Sequence, residues 1–566
     1  VNNYQMDKQE FDRIKAARSN WNLLYQICGE YVHMMKQNFT GVKSDGEFLV
    51  NKVFDSTAPF AASSAASILV GMVWPGSASQ TFELVPPDDL EVTTELAKFY
   101  EKFNKRSHAA FDDPSAGLSL ALDEYMLDQM VFGTSGIGVE AGKKSKLQFT
   151  PYGVQEMYVV SGAGGRVGKL YLFFEWTVER VVQEYGYDNV SDGIRNLYDA
   201  KKFADKVQIL HIIRERKEFT AEKGKYAMPW EGVHLEYKTN FLLKEDGYHE
   251  FPINVARFRR LNYEDYGRSP AMAALPDIIE ANAMREAIII ATEKQLDPAQ
   301  GVFHDGIVGG GTIDKSAGAI NVFNAAASMG SSNPIFDVAP VGDMKPALTR
   351  LEKLEQNIAQ HFYIDRLLDL NNETQMTFGE AQIREQRVNS SMLGMLSRQN
   401  AEVVTPTIER GVAMLWRMGE FGVVRGSEEE IEAQVTGREV EYVPDVIAER
   451  LEKGLDIYKV IFKSKAGNAA RAQEYISIVD TTNFTLQAMQ VDPSLKHKLD
   501  LHKSIDLMGE IRGLPVGILR KKDEVEARMK KEQEEMQMMQ MLQAGEQVAS
   551  IAEKSANAEQ TMNRRQ

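Results

Sequence analysis

YGRSPAMAALPDIIEANAMREAIIIATEKQLDP, residues 266–298, is the stretch whose reading decides the fold of this chain. It reads as a helix of roughly seven turns. Pro270 and Pro276 sit where a helix start tolerates them, and Pro298 stops it. Between Ala271 and Ala291 small and aliphatic residues cover nearly every face, with Arg285 and Glu286 as the main interruptions. A helix apolar on most sides has to be buried on most sides. The longest aliphatic clusters of the chain, residues 287–291 and 67–74, are far too short to span a bilayer. The neighbours of this helix are therefore expected to be other protein helices, and a second long helix follows about fifty residues later. Two such helices around a Gly-rich insertion suggest an assembly built by packing copies together.

The bulk properties describe a large soluble protein and set few limits on chemistry. A length of 566 residues corresponds to three or four domains, or to one elaborate protomer of an assembly. Charged residues at 26% and hydrophobic residues at 43% are ordinary for a globular protein. The single cysteine, Cys28, excludes an intramolecular disulfide framework and a Cys-rich zinc site, and it fits a reducing cytoplasm. The opening VNNYQMDKQEFDRIKAARSN has no apolar signal core, so secretion is not expected. A net charge of −16 argues against a protein that wraps DNA in basic surface. It is compatible with a surface past which DNA slides without sticking.

Four regions follow along the chain. Residues 1–130 read as mostly helical, with amphipathic stretches at 11–31 and 91–111 around an Ala/Ser-rich one at 56–74. Asp55, Ser56 and Thr57 are good N-cap residues for the middle helix. From about residue 133 to 263 short β-rich runs at 147–149, 156–160, 170–176, 207–214 and 233–237 alternate with Gly, Asp and Asn clusters, as in an antiparallel region. Residues 266–420 return to helix, interrupted at 299–343, with a long final helix at 376–419 expected to kink near Pro406. The remainder, 440–566, holds a strand-like EYVPDV, several helices and a charged Met/Gln-rich tail. In that tail Met529, Met536, Met539 and Met541 read either as a sticky stripe in a ring of helices or as part of a solvated, fraying helix.

No catalytic, metal or cofactor site is expected. AGGRVGKL at 163–170 nearly fits a phosphate-binding loop, but Leu170 stands where Ser or Thr must hold magnesium. A helix should follow such a loop, and LYLFF continues instead as a strand, so a Gly-rich hairpin turn is the better account. The glycines at 306–318 likewise precede a β-like run and lack the Gly required before Lys315. The nine histidines include no HExxH pair; His497 and His502 read as surface residues on a charged helix. There is no GxSxG elbow, and Cys28 has no activating context.

Specific resemblance appears in the helical half. Residues 345–370 carry a stripe at Leu348, Leu351, Leu354, Ile358 and Phe362. The polar break Asn371, Asn372, Glu373, Thr374, Gln375 follows, and then MTFGEAQIREQR leads into TPTIER. The order YGRSP, ALPDI, DP, Gly-rich insert, helix, polar loop, MT-x-x-E-x-x-x-R and TP-x-x-R resembles the head-to-tail connecting (portal) proteins of short-tailed double-stranded DNA bacteriophages. The Ala-rich segment at 55–84 and the IRGLP at 511–515 are similar to that family too.

The resemblance implies an α+β, mainly helical portal fold with wing, stem, clip and crown, assembled as a ring, generally of twelve copies, around a central channel. Residues 1–265 would be an N-terminal wing, 266–298 the first stem helix, 299–343 the clip and 344–370 the second stem helix. Residues 371–378 would be the tunnel loop, 379–440 the long wing helix, 441–520 the crown, and 521–566 a helical barrel or a disordered tail. The implied function is a channel at one capsid vertex through which double-stranded DNA is packaged and ejected, and a nucleator of head assembly. Its partners would be the terminase large subunit, tail adaptors, and major capsid and scaffolding proteins, with no membrane; it would be made in the host cytoplasm and end in the virion. Arg350, Lys353, Asn371, Asn372 and Gln375 are candidates for the DNA channel, although Arg350 and Lys353 could equally pair with Glu352 or Glu355 between subunits. Ile278, Arg285, Glu286, Ile288, Leu351 and Ile358 are candidates for the ring interface. The alternatives are a nucleotide hydrolase using residues 162–169 and a non-viral helical ring scaffold.

Overall fold

The computed structural model describes residues 2–36, 38–39, 53–74, 81–90, 93–217, 224–304, 313–324, 335–338, 342–364, 394, 397–425, 441–462, 477–485, 501–512, 525, 528 and 530–531. The chain divides into two compact units, Val1–Ala470 and Arg471–Gln566.

In the first unit α1 (Asn2–Ala17) and α2 (Ser19–Tyr31) replace the single amphipathic helix read at 11–31. The break falls at Arg18, whose guanidinium leaves the helix line to bond the carbonyls of Val154 and Met157 at 2.8 and 2.7 Å. α3 (Thr57–Val73) is the Ala-rich helix. Its buried Ala58, Ala61, Ala62, Ala65 and Ala66 let neighbouring elements approach closely, mainly α5 below. Ser56 stands at its N-cap but makes no capping bond with its side chain. The Asp55 carboxylate does so instead, accepting the Thr57 N–H at 2.9 Å. β1 (Phe82–Val85) precedes α4 (Thr94–Phe111), whose Thr93 hydroxyl accepts the Leu96 N–H. α5 (Leu118–Phe132) is buried on most of its faces and stops at Gly133, which adopts φ +74°.

The β region is antiparallel, as the alternation implied. β2 (Thr134–Ala141), β3 (Leu147–Gly153), β4 (Met157–Ser161) and β5 (Val167–Thr177) lead to the short α6 (Val178–Tyr185) and α7 (Asp192–Asp199). β6 (Lys206–Glu215), β7 (Trp230–Glu236), β8 (Phe241–Tyr248) and β9 (Ile253–Arg257) complete it. The strands form one three-stranded sheet in the order β3-β2-β9 and one five-stranded sheet in the order β4-β5-β6-β7-β8. α1 docks Phe11 on the second sheet, its ring against Tyr158 at 5.0 Å and Phe173 at 5.4 Å. The turn between β4 and β5 contains the glycines that mimic a phosphate loop. No helix follows it, and Lys169 lies in β5 with its ammonium on Glu10 at 2.8 Å.

α8 (Pro270–Leu296) is the long helix expected at 266–298. β10 (Gln300–His304), β11 (Ile320–Asn324) and β12 (Ile335–Asp337) follow it. They form a small sheet in which β10 is central, parallel to β11 and antiparallel to β12. α9 (Lys345–His361) returns from that sheet and packs along α8. It ends at His361, where Phe362 caps it and Tyr363 takes φ +62°; residues 365–370 of the expected helix lie outside the described residues.

Near Pro406 the helix carries a π turn over Asn400–Val404, directly before α10 (Thr405–Arg417). That wider turn is how the chain accommodates a proline lacking an N–H donor. The strand-like EYVPDV is not a strand. Tyr442 makes one isolated bridge to Val423, and Asp445 already begins α11 (Asp445–Glu452). β13 (Lys459–Phe462) pairs antiparallel with β1, 374 to 380 positions earlier, a partnership that local sequence could not announce. In the second unit the described elements are helical turns at 477–485 and α12 (Leu501–Arg512). The Met-rich tail lies outside the described residues except for 525, 528, 530 and 531, which are helical.

Candidate functional site

The distinctive construction is the pair α8 and α9 with the small sheet between them. Ser269 sets the start of α8: its hydroxyl donates to the Val131 carbonyl at 2.7 Å and accepts the Met272 N–H at 3.0 Å. From there to Asn282 one face of the helix is core, with Ala271, Ala274, Ile278 and Ala281 buried. Asn282 is the last buried residue. Its side-chain oxygen accepts the N–H groups of Phe54 and Asp55, at 2.7 and 3.2 Å, and ties α8 to the segment that starts α3. Beyond it, residues 283–296 contain no buried position, although they include AIIIA. Ile289 is 41% exposed, Ile290 45% and Leu296 82%.

α9 contributes Leu351, Leu354 and Ile358 to the same core, and two ion pairs and a His–Asp contact join it to α8. The Arg285 guanidinium reaches Glu355 at 2.5 Å and the buried Asp55 at 3.3 Å. Arg350 grips Glu280 through two parallel bonds of 2.9 and 3.0 Å, a bidentate fork. Those bonds hold the Glu280 carboxyl below its ordinary range and push the Arg350 guanidinium up. His361 Nε2 lies 3.7 Å from the Asp277 carboxylate.

The residues singled out from sequence are thus redistributed. Ile278, Leu351 and Ile358, expected at a ring interface, are buried in the core of their own chain. Ile288 is half-buried against the same core, and Glu286 is exposed. Arg285, likewise expected at a ring contact, is spent on Asp55 and Glu355 of its own chain. Arg350 is neutralised by Glu280, a partner on α8 of its own chain, where the expected alternative was Glu352 or Glu355 of another subunit, whereas Lys353 is exposed. Asn371, Asn372 and Gln375, with the rest of 371–378, lie outside the described residues. Sequence reasoning missed Asp55 and Asn282, because the bond between them closes across 227 positions.

Among the described residues no group of three His, Cys, Asp or Glu side chains could hold a metal ion, and no helix is long and apolar enough to cross a membrane. Burial pushes the Cys28 thiol up to about 12, away from reactivity. The stacked imidazoles of His211 and His234, 3.8 Å apart, sit inside the five-stranded sheet.

The profile of the bacteriophage head to tail connecting protein family matches residues 6–519. The portal protein of Salmonella phage epsilon15 is 23% identical over 514 residues, covering 88% of this chain and 86% of that protein. A probable portal protein of Bordetella phage BPP-1 is 29% identical over 265 residues, covering 45% of this chain and 46% of its own. Among solved structures, a chain of the virion of a native gene transfer agent particle aligns over 68% of this chain and 91% of its own. Its TM-score of 0.29 at 12% identity carries no argument about fold. The family profile runs from α1 through α12, and this chain belongs to the bacteriophage head to tail connecting protein family.

Proposed function

We propose that copies of this chain close into a ring at one capsid vertex and act as the portal through which double-stranded DNA enters and leaves the head. The observation that carries the reading is the second half of α8. An aliphatic helix segment with no buried residue in its own chain needs an apolar neighbour, and a cyclic array gives every copy one on each flank. Twelve copies is the stoichiometry that the family resemblance supplies.

On this reading α8 and α9 are the stem, and the sheet β10-β11-β12 is the clip that meets a packaging motor and later the tail adaptors. The elements from α1 to β9, with α10, form the wing. Residues 371–378 are the tunnel loop, 441–520 the crown, and 521–566 a barrel or tail. The terminase large subunit supplies ATP hydrolysis, and the ring nucleates assembly of capsid and scaffolding proteins in the host cytoplasm. The nucleotide-hydrolase alternative loses its physical basis, since Lys169 sits mid-strand on Glu10.

Negative-stain images of the purified chain test the ring directly: an annulus with an axial channel is expected. Ile289→Glu with Ile290→Glu should leave circular dichroism unchanged while giving monomers by light scattering. Unaltered rings from that variant would reject α8 as the interface. Deleting residues 371–378 should spare rings and impair DNA retention; full retention would reject the tunnel-loop assignment.

A further inference from the structure

The foot of α8 carries an unassigned cleft of about 390 Å³. Its walls include Arg259, Arg260, Arg268, Gln360 and His361, and its floor Pro270 and Met272. Among the described residues three guanidiniums and no carboxylate line it, in a chain of net charge −16. Among the described residues two of these charges meet no carboxylate. Arg259 donates to the Tyr363 hydroxyl at 2.6 Å. Arg260 donates to the carbonyls of Gly165, Leu261 and Asn262, all neutral acceptors. Among the described residues neither has a carboxylate partner, whereas Arg268 is held by Glu264 at 2.6 Å.

The positions of these cations are set by the glycine-rich turn that imitates a phosphate loop. Gly165, at φ +79°, presents its carbonyl to both Arg260 and the buried Arg257. A Cβ there would fall 2.5 Å from Arg260 Nη1, so glycine makes the room in which that guanidinium sits. Arg257 itself pairs with Glu402 at 3.3 Å, whereas Arg260, on the cleft lining, has no carboxylate partner among the described residues. The turn thus has a use for its glycines that involves an arginine, not a nucleotide.

We infer that this cleft binds the phosphodiester backbone of nucleic acid through Arg259 and Arg260. Adjacent uncompensated guanidiniums match non-bridging phosphate oxygens in fork geometry, and duplex DNA supplies one negative charge per roughly 1.7 Å of axis. A second copy of the chain is the poorer occupant, since it carries the same net charge of −16. The inference rests on the reading that DNA passes this protein, and it moves the contact from Arg350, which Glu280 neutralises, to the foot of the helix.

The test is fluorescence anisotropy of a labelled random-sequence duplex with the full chain, across a sodium chloride series. Removing two phosphate contacts should make the log–log salt slope shallower by about 1.8, so affinities converge by about 12-fold between 50 and 200 mM salt. R259Q/R260Q should show that change with an unshifted melting temperature. R259Q alone, whose lost partner is one surface hydroxyl, should show about half of it and guards against misfolding. R259K/R260K should keep the slope, and R350Q should leave it unchanged. An unaltered slope in R259Q/R260Q overturns the inference. So does saturable binding of inorganic phosphate that is lost in the variant while duplex binding persists, or loss of self-association alone. Rings without the slope change sink only the cleft; duplex binding that depends on these arginines without rings sinks only the portal reading.

Discussion

Replacing Gly133 by Ala tests how α8 is seated on the rest of the molecule. Gly133 ends α5 at φ +74°, and its N–H caps the carbonyls of Asp128 and Gln129, each at 3.1 Å. A left-handed conformation costs an alanine about 1–2 kcal/mol. The added Cβ would lie 2.6 Å from the Gly267 carbonyl oxygen, 2.7 Å from the Arg268 carbonyl carbon and 2.7 Å from the Ser269 nitrogen. All three are backbone atoms that cannot swing aside, and such overpacking typically adds about 1–3 kcal/mol. The sum, about 2–5 kcal/mol, falls where residues 267–269 lead into the first turn of α8. Urea unfolding at fixed protein concentration, followed by tryptophan fluorescence, should show the midpoint fall accordingly. Gly71→Ala is the matched control. That glycine lies inside α3, and a Cβ added there would meet nothing within 4 Å, so alanine should stabilise by about 0.5–1 kcal/mol. A Gly133→Ala midpoint within about 0.5 kcal/mol of wild type would refute the backbone-crossing argument.

The ion pairs of the helix seam should separate by burial. Arg285→Ala strands the buried Asp55 carboxylate and should cost about 1–2 kcal/mol, whereas Arg350→Ala breaks a solvent-exposed pair and should leave the urea midpoint unchanged. Stability should also fall in acid. Burial, reinforced by Lys36, lowers the His33 imidazole to about 4, and burial lowers His211 well below its ordinary value. Both are neutral in the fold, so the unfolded chain takes up protons first. Their contribution is present above about pH 6.5 and is lost as pH falls, for His33 between about 6.5 and 4, by up to about 3 kcal/mol. His33→Gln should flatten that part of the urea-midpoint profile; an unchanged profile would contradict it.

Local chemistry was legible wherever one element's own residues decide it. The period-2 runs at 170–176 and 207–214 became β5 and β6, and the Leu170 strand argument against a phosphate loop matched the hairpin. The apolar sweep of 271–291 became α8, yet its two halves have different fates that composition does not distinguish. Ala281 and Ala287 look alike in sequence, yet one is core and the other exposed. Side-chain partners were the least readable. Arg350, expected in the DNA channel or paired between subunits with Glu352 or Glu355, has its partner in the fold, Glu280, 70 positions away. The β1–β13 pairing and the Asn282 bracket on Phe54 and Asp55 are equally remote. Arg259 and Arg260 gave no signal either, since a pair of arginines in a loop is ordinary until the carboxylates around them are counted.

The two halves of α8 also imply two genetics. A substitution in the first half, around Ala274 or Ile278, strikes the protein's own core and removes the folded subunit from the pool, so a wild-type copy in the same cell should rescue it. A charge placed at Ile289 or Ile290 leaves that core intact. On the ring reading such a subunit still presents one sound flank, joins a growing arc and blocks its completion. Defects in one helix should therefore divide at Asn282 into recessive and dominant-negative classes.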